Sequence, residues 1–274
     1  MKISQMSHLK RWLTAGIAIP ILILLIGFSP RWLFYLLLVV VSCLCLHEFF
    51  HLTSPRLPLL PRVFAFALSL LFPTFFSQGL LPFAFAVLCF TVMMVLGFYL
   101  FSEPERRKEV FEGTAAVVLG FLYSGLPLSL LVLVDQAPRG NLWIFFLLAI
   151  IFSGDTAALY CGRLFGKHKL YGAVSPGKTW EGAIGGLVTS VLAGVLFCWI
   201  FDLHDSVGTI AVASAGIAVA GQVGDLAESM IKRNVGVKDS GTILPGHGGF
   251  LDRVDALLFA IPVFYGFLIL RGME

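Results

Sequence analysis

Five carboxylates crowd into one stretch of an otherwise apolar chain: Asp225, Glu228, Asp239, Asp252 and Asp255. Lys232, Arg233, Lys238, His247 and Arg253 lie among them. Only 13% of the 274 residues are charged, so this density calls for a reason. Asp225, Glu228, Ser229 and Lys232 are spaced i, i+3, i+4 and i+7, which puts them on one face of a helix. Asp252 and Asp255 stand i, i+3 at the start of the next apolar run. Between the two groups runs a loop with five glycines from Gly236 to Gly249. Glycine lets a backbone approach a ligand closely and turn its N–H groups toward it. An ordinary i, i+4 ion pair between Glu228 and Lys232 fits part of this pattern. It does not explain why Asp225 and Asp252 bracket the loop. Oxygen-only ligands without Cys or His partners suit Mg²⁺. The expected ligands are Asp225 and Asp252, with Asp155, Glu228 and Asp255 in support.

Two other motifs carry chemistry. Asp155 interrupts an apolar run, and a carboxylate at that depth costs several kcal/mol to insert unless it is paired or hydrated. A helix–helix hydrogen bond would satisfy it, but intramembrane acids are functional sites by default. The segment Ser175-Pro176-Gly177-Lys178-Thr179-Trp180-Glu181-Gly182 precedes another apolar run. Lys178 and Thr179 offer donors to a phosphate, and the helix start near Gly182 offers backbone N–H groups. It is not a Walker loop, which has a glycine at the start of G-x-x-x-x-G-K-[ST] and a strand before it. The alternative is an ordinary helix-capping loop. His247, flanked by Gly246, Gly248 and Gly249, is a further expected phosphate contact. No nucleophile–base triad is visible.

These residues must be positioned by membrane helices. The chain is 58% hydrophobic with a mean hydropathy of +0.92, which excludes an ordinary soluble domain. A net charge of +3 leaves no footprint for nucleic acid. The five cysteines form no CxxC or Cys/His cluster and read as buried apolar residues. The expected fold is all-α and polytopic, with nine spans: Trp12–Phe28, Trp32–Phe50, Val63–Phe76, Leu81–Phe101, Gly113–Val134, Leu142–Cys161, Ala183–Phe201, Val207–Leu226 and Val254–Leu270. Residues 1–134 form an N-terminal group of five spans, and 135–274 a catalytic region of four. The first run is a retained span and not a cleaved signal, since no small-residue cleavage site follows it.

Charge sets the orientation. With the N-terminus inside, the inner segments hold Lys2, Lys10, Arg11, Arg56, Arg62, Arg106, Arg107, Lys108, Arg163, Lys167, Lys169, Lys178, Lys232, Arg233, Lys238 and Arg253. The outer segments keep only Arg31, Arg139 and Arg271. The positive-inside rule therefore places the N-terminus, and every polar motif, on the cytoplasmic side. Gly154, Ala158, Gly162 and Gly166 fall at four-residue intervals, as do Gly216, Ala220 and Gly224. Such stripes let membrane helices approach closely, so the sixth and eighth spans are expected to pack together and bring Asp155 toward Asp225. Glu48 and His51, at the end of the second span, read as a solvated interfacial pair.

The polar stretch also resembles a known family. Ser229-x-x-Lys232-Arg233, Lys238-Asp239-x-Gly241, Pro245-x-His247-Gly248-Gly249 and Asp252-Arg253-x-Asp255 together look like the signature of phosphatidate cytidylyltransferases, or CDP-diacylglycerol synthases. The run from Ser153 to Lys167 is similar to the family as well. The family usually shows a second lysine where this chain has Gly177. The resemblance implies an inner-membrane enzyme, a homodimer, that converts phosphatidic acid and CTP into CDP-diacylglycerol and pyrophosphate. The residues suit that reaction. A phosphate monoester is largely dianionic at pH 7, so it needs no strong general base. The obstacle is one anion attacking another, and it is met by a metal and fixed cations. The resulting expectation has Asp225, Lys232, His247, Asp252 and Asp255 as catalytic residues. Ser175, Lys178, Thr179, Arg233, Lys238, Asp239, Gly248, Gly249 and Arg253 bind substrate. Two other classes stay open at this point. One is an ion-coupled transporter, although no internal repeat is visible. The other is a CTP-dependent lipid kinase.

Overall fold

The computed structural model describes residues 20–203, 206–241 and 248–272. Residues 20–27 are helical, and the start of the first expected span lies outside the described residues. Eight helices long and apolar enough to cross a bilayer follow. They are α1 (Arg31–Thr53), α2 (Leu59–Ser77), α3 (Leu81–Leu100), α4 (Val110–Gln136), α5 (Gly140–Phe165), α6 (Trp180–Phe201), α7 (Val207–Asn234) and α8 (Leu251–Leu270). They correspond one for one to the second through ninth expected spans. An apolar segment in lipid must close its own backbone hydrogen bonds, and a helix does so within one segment. The third expected span is longer than its hydropathy suggests, because α2 starts at Leu59 and carries Pro73 inside it.

Local chemistry sets the interruptions and ends. In α4 the turn Phe121–Gly125 widens to a π-helix just ahead of Pro127. Proline lacks an N–H and its ring crowds the carbonyl four residues back, which here is that of Tyr123. Ser206 caps α7 by accepting from Thr209 N at 3.1 Å. Lys169–Tyr171 (β1) and Ser175–Thr179 (β2) form an antiparallel hairpin between α5 and α6. The sequence reading had only a loop there, since Pro176 and Gly177 conceal so short a strand.

One buried apolar cluster unites the two halves of the chain. Phe34, Phe72, Phe121, Trp143, Phe146 and Phe264 all belong to it. Phe72 and Phe121 meet edge-on with ring centroids 4.6 Å apart. Bulky side chains such as Phe83 and Phe90 on α3, and Leu192 and Trp199 on α6, stay exposed on the outside of the bundle, where a bilayer would solvate them.

Two expectations are corrected. The small-residue stripe of α5 packs on α6, not α7: Gly154 faces Gly186 and Ser190, and Gly162 faces Thr179 and Gly182. The stripe of α7 packs on α8, with Gly224 against the Asp255 backbone and Phe259. The reason is that α6 carries small residues of its own, Gly182, Gly186 and Ser190, so α5 had two candidate partners. α7 reaches α5 through Gly221 against Ile151. The second correction is Glu48, which is 2% exposed and bonded into the protein. It is not half of a solvated pair.

Candidate active site

The polar motifs gather at one end of the bundle. They come from the C-terminal ends of α1, α5 and α7, the hairpin, and the first turns of α6 and α8. α7 extends through Asp225 and Glu228 to Lys232 and Arg233 in its last turn. α8 begins at Leu251, so Asp252 lies in its first turn, where a carboxylate complements the helix dipole.

Asp252 holds the loop ends together. Its Oδ2 accepts from Ser240 N at 2.9 Å and Gly249 N at 2.8 Å, and its Oδ1 takes Lys232 Nζ at 2.6 Å. Lys232 also pairs with Glu228. Glu228 is 1% exposed, and it meets the ammonium as an ion pair without an aligned hydrogen bond. The i, i+4 pair read from the sequence is therefore present, but it is one edge of a Glu228–Lys232–Asp252 triad. Gly248 sits at φ +79°, a left-handed backbone that a side chain would strain.

A second group lies beside the triad. Lys178 reaches across from β2 to Asp225, with Nζ 2.6 Å from Oδ2. Asp155 and Asp255 both lie close enough to Asp225 for their charges to repel. Asp155 thus lies within electrostatic reach of Asp225, although the helix packing is not the one expected. Of the five carboxylates here, Asp225 pairs with Lys178, and Glu228 and Asp252 pair with Lys232. No three Asp, Glu, His or Cys groups among the described residues form a preformed metal cage. Mg²⁺ does not require one, because it usually keeps several waters and takes one or two carboxylates with substrate phosphates. The donor set fits it on those terms.

The remaining expected residues are placed as follows. Thr179 is buried and caps α6, its Oγ1 accepting from Gly182 N at 3.1 Å. That bond uses the Gly182 N–H offered to a phosphate in the sequence reading. Ser175 pairs with Tyr171 in the hairpin. Arg233 is exposed and donates to the carbonyls of Val174 and Val237, tying α7 to the hairpin turn. Lys238, Asp239 and Arg253 are exposed around the loop. Gly249 is buried against Ser240 and Glu48. His247 lies outside the described residues.

Sequence reasoning missed two groups. Glu48 is one; its partners lie about 200 positions away, so no local spacing signals it. Tyr123 is the other. Its hydroxyl is buried with no hydrogen-bond partner among the described residues, within electrostatic reach of Glu228 and Asp255. The cue was the proline four residues on, which marks the widened turn. Tyr123 also lines an apolar cavity of about 720 Å³, with Phe49, Leu119, Ile231, Leu258 and Phe259. Of that lining, Ile231 precedes Lys232 on α7, and Phe259 packs against Gly224, the residue before Asp225.

The family model described as "Cytidylyltransferase family" matches residues 9–270. The chain belongs to this family. It is 34% identical over 266 residues to the phosphatidate cytidylyltransferase of Staphylococcus haemolyticus, covering 92% of this chain and 96% of that one. The Bacillus subtilis phosphatidate cytidylyltransferase is 29% identical over 272 residues, covering 97% and 99%. With the Staphylococcus epidermidis relative the match is 36% over 186 residues, or 68% of this chain and 66% of that one. The cytidylyltransferase is thus an integral membrane enzyme whose carboxylates and cations sit at one end of an apolar bundle.

Proposed function

We propose that the chain is a phosphatidate cytidylyltransferase, converting CTP and phosphatidic acid into CDP-diacylglycerol and pyrophosphate. One observation carries the reading: the Asp225–Lys178 and Glu228–Lys232–Asp252 groups gather at one end of a membrane bundle, and α7, which carries Asp225, Glu228 and Lys232, also lines an apolar cavity through Ile231. A phosphate-handling site that shares a helix with a space for acyl chains suits a substrate that is both anion and lipid. A phosphate oxygen of phosphatidic acid attacks the α-phosphorus of CTP. The bond from that phosphorus to the β-phosphate oxygen breaks, and pyrophosphate leaves with the electron pair.

The residues have distinct tasks. The attacking phosphate is already largely dianionic near neutral pH, so no base need take its proton. Lys178, Lys232, Arg233, Lys238 and Arg253 hold and neutralise phosphates. Asp225 and Asp252 would hold Mg²⁺, supported by Asp155, Glu228 and Asp255. When bound, Mg²⁺ would screen the repulsion between the two anions and draw charge from the leaving pyrophosphate. Each carboxylate gives one oxygen to a lysine, but the Asp225 side chain is 37% exposed against 8% for Asp252, so Asp225 is the more accessible ligand. The cavity takes acyl chain against its apolar lining. The Lys and Arg distribution supports a cytoplasmic site in the inner membrane, with the N-terminus inside. The resemblance adds a homodimer.

Purified protein given phosphatidic acid vesicles and CTP labelled in turn on cytidine and on the γ-phosphate tests the reading. Cytidine label is expected in the lipid. Lipid carrying only γ-phosphate would make the chain a kinase, and unlabelled lipid would overturn group transfer altogether.

A further inference from the structure

Glu48 comes from α1, in the half of the chain that supplies none of the expected site residues, yet it is bound into the loop that carries the site. Its Oε1 accepts from Phe250 N at 2.9 Å. Its Oε2 accepts from Leu251 N at 2.9 Å and from Ser240 Oγ at 2.8 Å. These groups flank the 242–247 segment on both sides. Phe250 and Leu251 are at the start of α8, where backbone N–H groups have no partner within the helix. The same positive helix end offsets the charge of the buried carboxylate. Ser240 is shared: its hydroxyl goes to Glu48, while its N–H goes to Asp252. The fit allows no added bulk, because a Cβ at Gly241 or Gly249 would run into the Glu48 carboxylate.

We propose that Glu48 is a positioning residue for cytidylyl transfer: it pins both ends of the glycine-rich loop and the first turn of α8. In doing so it fixes the orientation of Asp252 and, through Asp252, of Lys232. It touches neither substrate nor reacting atoms. The proposal rests on the cytidylyltransferase reading above. It also explains why an N-terminal helix is needed by a site drawn from the C-terminal half.

The test is Glu48→Gln in the purified full chain. Glutamine keeps the shape but presents an NH₂ to a backbone N–H, two donors facing each other. A displacement of about 1 Å at a reacting geometry can cost on the order of 10²-fold in rate. The expected result is a drop of that order in kcat, with the KM for CTP changed less than about threefold. Hydrogen–deuterium exchange should rise in the described loop ends and the first turn of α8, while the other helices stay protected. Ser240→Ala removes one of the three partners and guards against misfolding of the first variant. It should give a smaller loss in the same direction. Wild-type kcat in Glu48→Gln, or exchange rising evenly through the bundle, would overturn the proposal. Failure of the cytidylyltransferase reading would be seen separately, as wild-type protein that makes no cytidine-labelled lipid.

Discussion

Lys178 projects from β2 onto Asp225, and the pair joins the hairpin to α7. The sequence reading grouped Lys178 with Ser175 and Thr179 as phosphate donors, but the structure separates them. Thr179 is committed to capping α6, and Ser175 lies in strand β2 opposite Tyr171. Of the three, Lys178 forms the ion pair with Asp225, and it can exchange Asp225 for a triphosphate without breaking a helix cap. Lys178→Ala should therefore lower kcat/KM for CTP by about 10- to 100-fold while the protein stays folded. Steady-state kinetics at varied CTP measure the change as lost transition-state stabilisation. Near-normal kinetics would leave the motif with a capping role alone. Asp252 differs, because two backbone N–H groups and an ammonium depend on it. Hydrogen bonds to charged groups contribute about 1.5–3 kcal/mol each, so its loss would loosen the loop as well as the chemistry.

Element boundaries and element partners were legible to different degrees. Eight spans could be read from hydropathy alone, because lipid forces each apolar run to bond within itself. The ends of α7 and α8 were also largely legible, since the i, i+3, i+7 spacing of Asp225, Glu228 and Lys232 made sense only on one continued helix. Which helix packs on which was not legible. A stripe such as Gly154–Gly162 states that something comes close, but α6 and α7 both offer small residues to receive it. The hairpin was missed because its strands are short and Ser175-Pro176-Gly177 has turn composition. Glu48 was misread for a related reason. Its position near a helix end matches a solvated carboxylate, and the backbone donors that bury it become neighbours only in the folded bundle.

At the scale of the whole molecule, the N-terminal and C-terminal helices share one core, and the site gathers at one end of it. That one-sidedness has a topological consequence. Lys108, Lys169 and Lys238 should lie on the cytoplasmic face, and exposed Gln78, between α2 and α3, on the opposite face. Single cysteines at 108, 238 and 78 in a cysteine-free background, labelled with an impermeant reagent, check this. Positions 108 and 238 should label together and 78 from the other side; labelling of 108 and 238 from opposite faces would break the topology. The central claim is that the carboxylate cluster around Asp225 serves phosphate chemistry with Mg²⁺ rather than the architecture of the bundle. Asp225 tests it best, because it is more than one-third exposed and, among the described residues, its ion pair is with Lys178. The measurement is turnover of folded Asp225→Asn protein across a Mg²⁺ series. The expected result is a loss of kcat of about 10²-fold or more, the scale seen when charge stabilisation is removed from a transition state, with a Mg²⁺ requirement shifted to higher concentration. Wild-type turnover at an unchanged Mg²⁺ dependence would contradict the account and leave Asp225 with a structural role.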